Sequence, residues 1–266
     1  MEQHNSNSPE PIITIENLTK SFRQKDGSEQ TVLRNMNLTI KKGELFCLLG
    51  RSGCGKTTLL NIIAGFVKPS KGRVRINEVT VRAPGPNAIM IFQGSGLLPW
   101  RTVLSNVELG LEGGSLSRND RREICMDYLK LVGMDSFSNH HPNELSGGMK
   151  QRVALARSLA VEPDIILLDE PFSALDTFTR YNMQEELFRI WEEKKMTVVF
   201  VTHDIDEATY LFDKIAIMHR GDEGFRIMDN KLPRPRNRTG TDFYHLRGEI
   251  FREFHLVAQV SDDYSI

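Results

Sequence analysis

Residues 50–57 read Gly-Arg-Ser-Gly-Cys-Gly-Lys-Thr, a spacing of glycines ahead of a Lys-Thr pair that suits polyphosphate chemistry. Glycines let the backbone turn so that successive N–H groups face inward, and a helix starting at the end of the loop adds the positive end of its dipole. In such a loop Lys56 reaches the β- and γ-phosphates of a nucleotide and the Thr57 hydroxyl ligates Mg2+. The candidate phosphate-binding residues are Gly50, Arg51, Ser52, Gly53, Cys54, Gly55, Lys56, Thr57 and Thr58. A plain strand-to-helix turn with an exposed lysine can carry the same letters. The loop alone does not separate ATP from GTP chemistry.

A second group follows the apolar run Ile165–Leu168, which ends in Asp169 and Glu170. Two carboxylates at the carboxyl end of a buried strand stand where α/β folds bind ligands. Asp169 is placed to hold Mg2+, directly or through water, and Glu170 to polarise an attacking water as a general base. Acids in this position also cap helices. Ser146, Gly147 and Gly148 precede an apolar helical face carrying Val153, Leu155, Ala156 and Leu159, so Ser146 reads as a cap and the glycines as a second anion-binding helix start.

Read together as LSGGMKQR, residues 145–152 resemble the signature sequence of the ATP-binding-cassette family, and the resemblance extends along the chain. Gln93 in IFQ resembles the family's Q-loop, Ser173–Asp176 its D-loop, and His203 in VTHD its switch histidine, all in the family's order. Met149 departs from the glutamine many relatives carry. The resemblance implies that ATP and Mg2+ are the cofactors, that Gln93 senses Mg2+ and the attacking water and counts among the metal residues with Thr57 and Asp169, and that His203 holds the γ-phosphate. It also matches Phe22 to the aromatic that stacks on adenine, against the alternative of an ordinary half-buried strand-end phenylalanine.

The family further implies a homodimer docked head to tail, each ATP lying between one chain's phosphate loop and the other's Ser146–Gly148. Several stretches, GPNAIMIFQGSGLLPWRTVLSNV and LLDEPFSALDTFTR foremost, look like the nitrate, sulfonate and taurine importer branch, with a weak lean to sulfonate or taurine. Two permease subunits are then expected to meet the surface from Gln93 to Arg101, where Trp100 is either an interface anchor or a core residue. An extracytoplasmic solute-binding protein would act indirectly. The competing classes are a cassette ATPase working outside transport and a nucleotide-binding regulator without turnover.

These residues need a scaffold, and the hydrophobic pattern supplies one. Ile12–Glu16 and Glu44–Leu49 read as strands around a polar loop at 25–30, and Leu59, Ile62, Ile63 and Phe66 share a helical face. A mainly helical stretch follows from about 95 to 160, with Gly133 as a stop. Ile165–Leu168, Thr197–Val201 and Lys214–Met218 are strand-like, separated by a helix carrying Met183, Leu187, Ile190 and Trp191. The expected fold is α/β, a mainly parallel sheet core flanked by helices, with an N-terminal antiparallel β subdomain and an inserted helical subdomain. Residues 1–11 are expected as a disordered tail, 12–230 as the ATPase domain, and 231–266 as an appendage with a short helix near Leu246–Phe254.

Composition narrows the partners. In 266 residues, 34 Lys and Arg face 35 Asp and Glu, leaving a net charge of −1, which lacks the basic footprint of nucleic-acid binding. No apolar run is long enough to span a bilayer, and the start of the chain has no secretory pattern, so a cytoplasmic location on the inner membrane face is expected. The cysteines, Cys47, Cys54 and Cys125, are an odd number without paired spacing, which favours reduced thiols. His140 and His141 have no ligand partner at metal spacing and read as a loop.

Overall fold

The computed structural model describes residues 10–92, 94–219 and 224–262, the side chains of 255–262 apart. The chain opens with two long strands, β1 (Pro11–Arg23) and β2 (Glu29–Lys41), paired antiparallel around a turn at 24–28. Pro11, expected in the tail, already pairs with Lys41. Next come β3 (Leu45–Gly50), α1 (Lys56–Ile63), β4 (Lys71–Ile76), β5 (Val79–Thr80) and β6 (Ala88–Ile91). Helices α2 (Val103–Glu108), α3 (Arg118–Leu131) and α4 (Gly147–Leu159) then lead to β7 (Ile165–Asp169), α5 (Thr177–Lys194), β8 (Thr197–Thr202), α6 (Ile205–Leu211) and β9 (Lys214–Met218). The last elements are β10 (Phe225–Asp229) and α7 (Thr241–Asp262).

Two sheets result. The order β2-β1-β4-β5 makes an antiparallel sheet, and the order β10-β9-β3-β8-β7-β6 makes a second sheet, parallel except for β10 at its edge. Strands β3, β7 and β8 are buried at every residue. A period of two therefore sends their side chains into two different cores. Cys47, Leu49, Ile166, Leu168, Val198 and Phe200 pack with α2–α6, while Phe46, Leu48, Ile165, Leu167, Val199 and Val201 pack with α1 and the antiparallel sheet. Phe200 stacks between Phe172 and Phe212 at centroid distances of 5.4 and 4.9 Å.

The helices at 103–159 share the first of these cores with β3, β7 and β8. Gly133, at φ +66°, ends α3 as its position suggested. Strands β4, β5, β6 and β10 lack a strong sequence pattern. β4, KGRVRI, is exposed over its first three residues and has no apolar run, while the apolar run of β6, AIMI, is only four residues long.

The stretch expected as an appendage is joined to the body. Arg236 is buried, its Nη1 donating to the carbonyls of Tyr210 and Phe212 at 2.9 and 3.0 Å and its Nη2 pairing with Asp213. Asn230 donates to Thr209 and Phe212, and on α7 both Phe243 and Ile250 are buried. No helix among the described residues is long and apolar enough to cross a membrane.

Candidate functional site

The parallel register decides which residues meet. Strand β3 lies between β8 and β9, with Leu49 opposite Thr202 and Gly50 opposite Met218, while Asp169 of β7 lies opposite Val201 of β8. The carboxyl ends of β3, β7 and β8 thus open on one edge, bringing the loop after Gly50, the acids at 169–170 and the histidine at 203 together.

Three features of the loop at 50–55 demand glycine. A Cβ on Gly50 would come within 2.6 Å of the Cys54 Sγ and 2.9 Å of the Met218 carbonyl. Gly53 and Gly55 sit at φ +80° and +102°, in the left-handed region glycine tolerates. A Cβ on Gly55 would also meet Leu33 at 2.7 Å. Gly55 caps α1 without a side-chain bond, and the first turn of that helix has no acidic residue, so the leading N–H groups face an anion-ready concavity. Cys54 and Gly55 are buried, Arg51, Ser52, Gly53 and Thr57 exposed, and Thr58 half-buried.

Lys56 is 5% exposed, and its Nζ donates to the carbonyls of Gly50 (2.6 Å) and Arg51 (3.1 Å). The ammonium is therefore held over the loop by its own backbone. The Thr57 hydroxyl donates to Asp169 Oδ1 at 3.2 Å across a sequence separation of 112 residues. Burial pushes the Asp169 carboxyl upward in pKa, with the Thr57 hydrogen bond opposing it. A hydroxyl beside a buried, mostly desolvated carboxylate is the donor set a hard divalent cation favours, so these residues fit Mg2+.

Glu170 lies one residue past the strand at φ +46°, an uncommon conformation for a residue with a Cβ. Its N–H donates to the Val201 carbonyl at 3.0 Å, and its own carbonyl accepts from the N–H and hydroxyl of Ser173 at 3.2 and 2.8 Å. These bonds hold the turn that aims its carboxylate at His203, whose Nδ1 is 3.1 Å from Glu170 Oε2. Asp176, at the end of Ser173–Asp176, caps α5 by accepting from the Thr179 N–H at 3.0 Å.

Ser146, Gly147 and Gly148 form a separate group packed on α5. The Ser146 hydroxyl caps α4 by accepting from the Met149 N–H at 3.3 Å, as the sequence suggested. Ser146 and Gly147 are exposed, whereas a Cβ on Gly148 would meet the Thr179 methyl at 2.6 Å. Phe22 is 42% exposed near the end of β1, with Lys20 Nζ 4.7 Å from its ring centroid. That sheet reaches the phosphate loop through Val32 and Leu33 of β2, which crowd Gly55.

Gln93 lies outside the described residues. Beyond it, Trp100 is 72% exposed, which overturns the core alternative for that residue. Its loop is held by Asn106, fully buried, which accepts from the Leu98 N–H and donates to the carbonyls of Leu98, Arg101 and Thr102 at 2.7–3.1 Å. Arg101 pairs with Glu112. Sequence reasoning missed Asn106 and also Arg180, which donates to Asp204 Oδ2 and to the Leu175 carbonyl, both at 3.2 Å. No local spacing marks either residue: Asn106 bonds backbone groups of the loop before its helix, and Arg180 reaches Asp204 24 residues away.

The chain is similar to known proteins over most of its length. The family model described as ABC transporter matches residues 33–173. An uncharacterized ABC transporter ATP-binding protein of Methanocaldococcus jannaschii is 46% identical, over 90% of this chain and 89% of the relative. The bicarbonate transport ATP-binding protein CmpD of Synechocystis is 43% identical over 85% of this chain and 82% of its own length. The nitrate import ATP-binding protein NrtC of Synechococcus elongatus is 42% identical over 90% of this chain, which spans only 38% of that longer protein. Among solved structures, a dimeric ATP-binding cassette in a post-hydrolysis state bound to ADP and Pi superposes with a TM-score of 0.74 at 36% identity, over 84% of this chain and 100% of the other. The chain belongs to the ABC transporter family, as one of its ATP-binding, ATP-hydrolysing subunits.

Proposed function

We propose that this chain hydrolyses Mg-ATP at a site shared by two copies and so powers an importer of a small oxyanion. The observation that carries the reading is the pairing of Thr57 with Asp169 and of His203 with Glu170 on one sheet edge, at 3.2 and 3.1 Å.

In this account the N–H groups of residues 51–57 cradle the phosphates, Lys56 exchanges its loop carbonyls for phosphate oxygens, and Phe22 offers its exposed ring to adenine. Thr57, Asp169 and Gln93 would hold Mg2+, which when bound neutralises charge on the phosphates. Glu170 accepts a proton from the attacking water, and His203, held beside it, donates to the γ-phosphate. Ser146–Gly148 of the second copy offer the start of α4 to the same phosphate, with no acidic residue in the first turn to oppose it. Loss of the γ-phosphate removes the shared charge and lets the copies part. The dimeric solved relative bound to ADP and Pi supports a dimer here.

Coupling to transport is assigned to the surface from Gln93 to Arg101, where the exposed Trp100 offers an anchor for each of two permease subunits on the cytoplasmic membrane face. An extracytoplasmic solute-binding protein would select the cargo. The relatives named for bicarbonate and nitrate favour a small oxyanion of one of these kinds over the sulfonate or taurine that the sequence resemblance suggested.

Phosphate release tests the motor and uptake tests the cargo. The purified chain is expected to release phosphate from ATP only with Mg2+, and Lys56→Ala to lose that release while melting normally. Unchanged turnover in Lys56→Ala would remove the phosphate-loop assignment. Cells lacking the chain are expected to lose uptake of labelled nitrate or bicarbonate; a loss confined to taurine would reverse the cargo assignment.

A further inference from the structure

A line of hydrogen bonds runs from the C-terminal segment to the backbone around His203. Arg238 Nη2 donates to Gln184 Oε1 at 2.5 Å, and Gln184 Nε2 donates to Glu207 Oε1 at 3.3 Å. The other oxygen of Glu207 accepts from the Thr202 hydroxyl at 2.6 Å, and that hydroxyl accepts from the Asp204 N–H at 3.0 Å. Thr202 and Asp204 flank His203, so the line ends by clamping the backbone on both sides of it. Gln184 and Thr202 are almost fully buried and Glu207 is 5% exposed. Arg238 is fixed in turn by the rings of Tyr210 and Tyr181, 3.4 and 4.2 Å from its guanidinium carbon.

The direction of this line is fixed from both ends, by the Arg238 guanidinium and by the Glu207 carboxylate. A guanidinium only donates, so the amide atom of Gln184 facing Arg238 must be the oxygen, which leaves the NH2 to face Glu207. Without Arg238 the Gln184 amide oxygen loses the donor that anchors it, so the side chain can shift, its 3.3 Å bond to Glu207 weakens, and the Glu207–Thr202 pair loses a fixed neighbour. We infer that Arg238 is a positioning residue for hydrolysis, holding His203 against Glu170 through Gln184, Glu207 and Thr202. The inference rests on the reading of His203 as a γ-phosphate contact.

The charges around Glu207 give the test a signature. Burial pushes the Glu207 carboxyl up to about 7, with Thr202, Arg180 and Gln184 pulling it down and Asp204 pushing it up, while Cys47 of β3 faces it as a protonated thiol. Weakening the Gln184 bond weakens support for the charged form, so the carboxyl would hold its proton to a higher pH. An acid limb of kcat that depends on ionised Glu207 then moves to higher pH.

The experiment measures kcat and KM for ATP of the full chain from pH 6 to pH 9, with melting temperatures, for wild type, Arg238→Met, Arg238→Lys and His203→Ala. Arg238→Met keeps an apolar stem between the tyrosines but cannot donate. Its kcat is expected to fall about tenfold, the scale of one hydrogen bond to a charged group, with KM unchanged and the acid limb shifted up. Arg238→Lys, also donor-only, is expected to restore kcat and the limb. A wild-type kcat in Arg238→Met beside a collapsed His203→Ala would overturn the relay and leave the His203 reading intact. Full turnover in His203→Ala would instead remove that reading. A fall in kcat that comes with a fall in melting temperature, an unmoved limb and no rescue by lysine would reduce Arg238 to a structural role and overturn the inference.

Discussion

Glu170 carries two demands at once. Its carboxylate must sit past the strand end beside His203, and only a left-handed turn at φ +46° puts it there while its N–H still bonds Val201. Holding a residue with a Cβ in that region costs on the order of 1–3 kcal/mol, a cost that active sites commonly carry. Substitution separates the strain from the chemistry. Glu170→Ala keeps the Cβ and the strain, whereas Glu170→Gly relieves it, so the glycine variant is expected to melt about 2–4 °C higher than the alanine variant although both lose hydrolysis. Thermal unfolding followed by circular dichroism reads this directly; equal melting temperatures would mean that the turn is unstrained.

At the scale of elements, the same loop holds one side chain outward and another inward. Trp100 is exposed on a loop that Asn106 of α2 fastens from inside with four hydrogen bonds. Trp100→Ala is therefore expected to leave the melting temperature unchanged and to weaken co-purification with membrane subunits. Asn106→Ala takes the side-chain partner from the part-buried Leu98 N–H and Arg101 carbonyl, while the Leu98 and Thr102 carbonyls keep backbone bonds, and is expected to cost about 1–3 kcal/mol, a shift of several degrees. A destabilised Trp100→Ala would restore the core alternative. The contrast also shows what the sequence made legible. Strands β3, β7 and β8, apolar throughout, and the phosphate loop between β3 and α1 were readable from local pattern, because burial on both faces leaves continuous apolar runs. Arg180 and Gln184 were not, since their side chains find partners 23 or more residues away, and Asn106 was not because its partners are backbone groups of the preceding loop, which leave no mark on residue type. Strand β4 has little apolar signal because it is mostly exposed and carries three basic residues, and β6 is an apolar run of only four residues, too short to mark a strand by itself.

At the scale of the whole molecule, the two helix starts proposed to bind phosphate stand in different surroundings. The start of α1 lies on the sheet edge with Asp169, Glu170 and His203, while Ser146–Gly148 pack on α5 with Ser146 and Gly147 exposed. A second copy placing its Ser146 over the first copy's phosphate loop gives both starts a single ligand, which is the central claim of the proposed mechanism. Glu170→Gln keeps the shape and the Asp169 carboxylate but removes the proton acceptor, which is expected to slow turnover by roughly a hundred- to ten-thousand-fold. ATP should then persist between two chains. Size-exclusion chromatography with light scattering, with and without Mg-ATP, measures the result: Glu170→Gln is predicted to become a dimer only with Mg-ATP, and adding Ser146→Arg to abolish that dimer. A double mutant that dimerises as well as the single one, or a Glu170→Gln chain that stays monomeric at saturating Mg-ATP, would contradict the shared site.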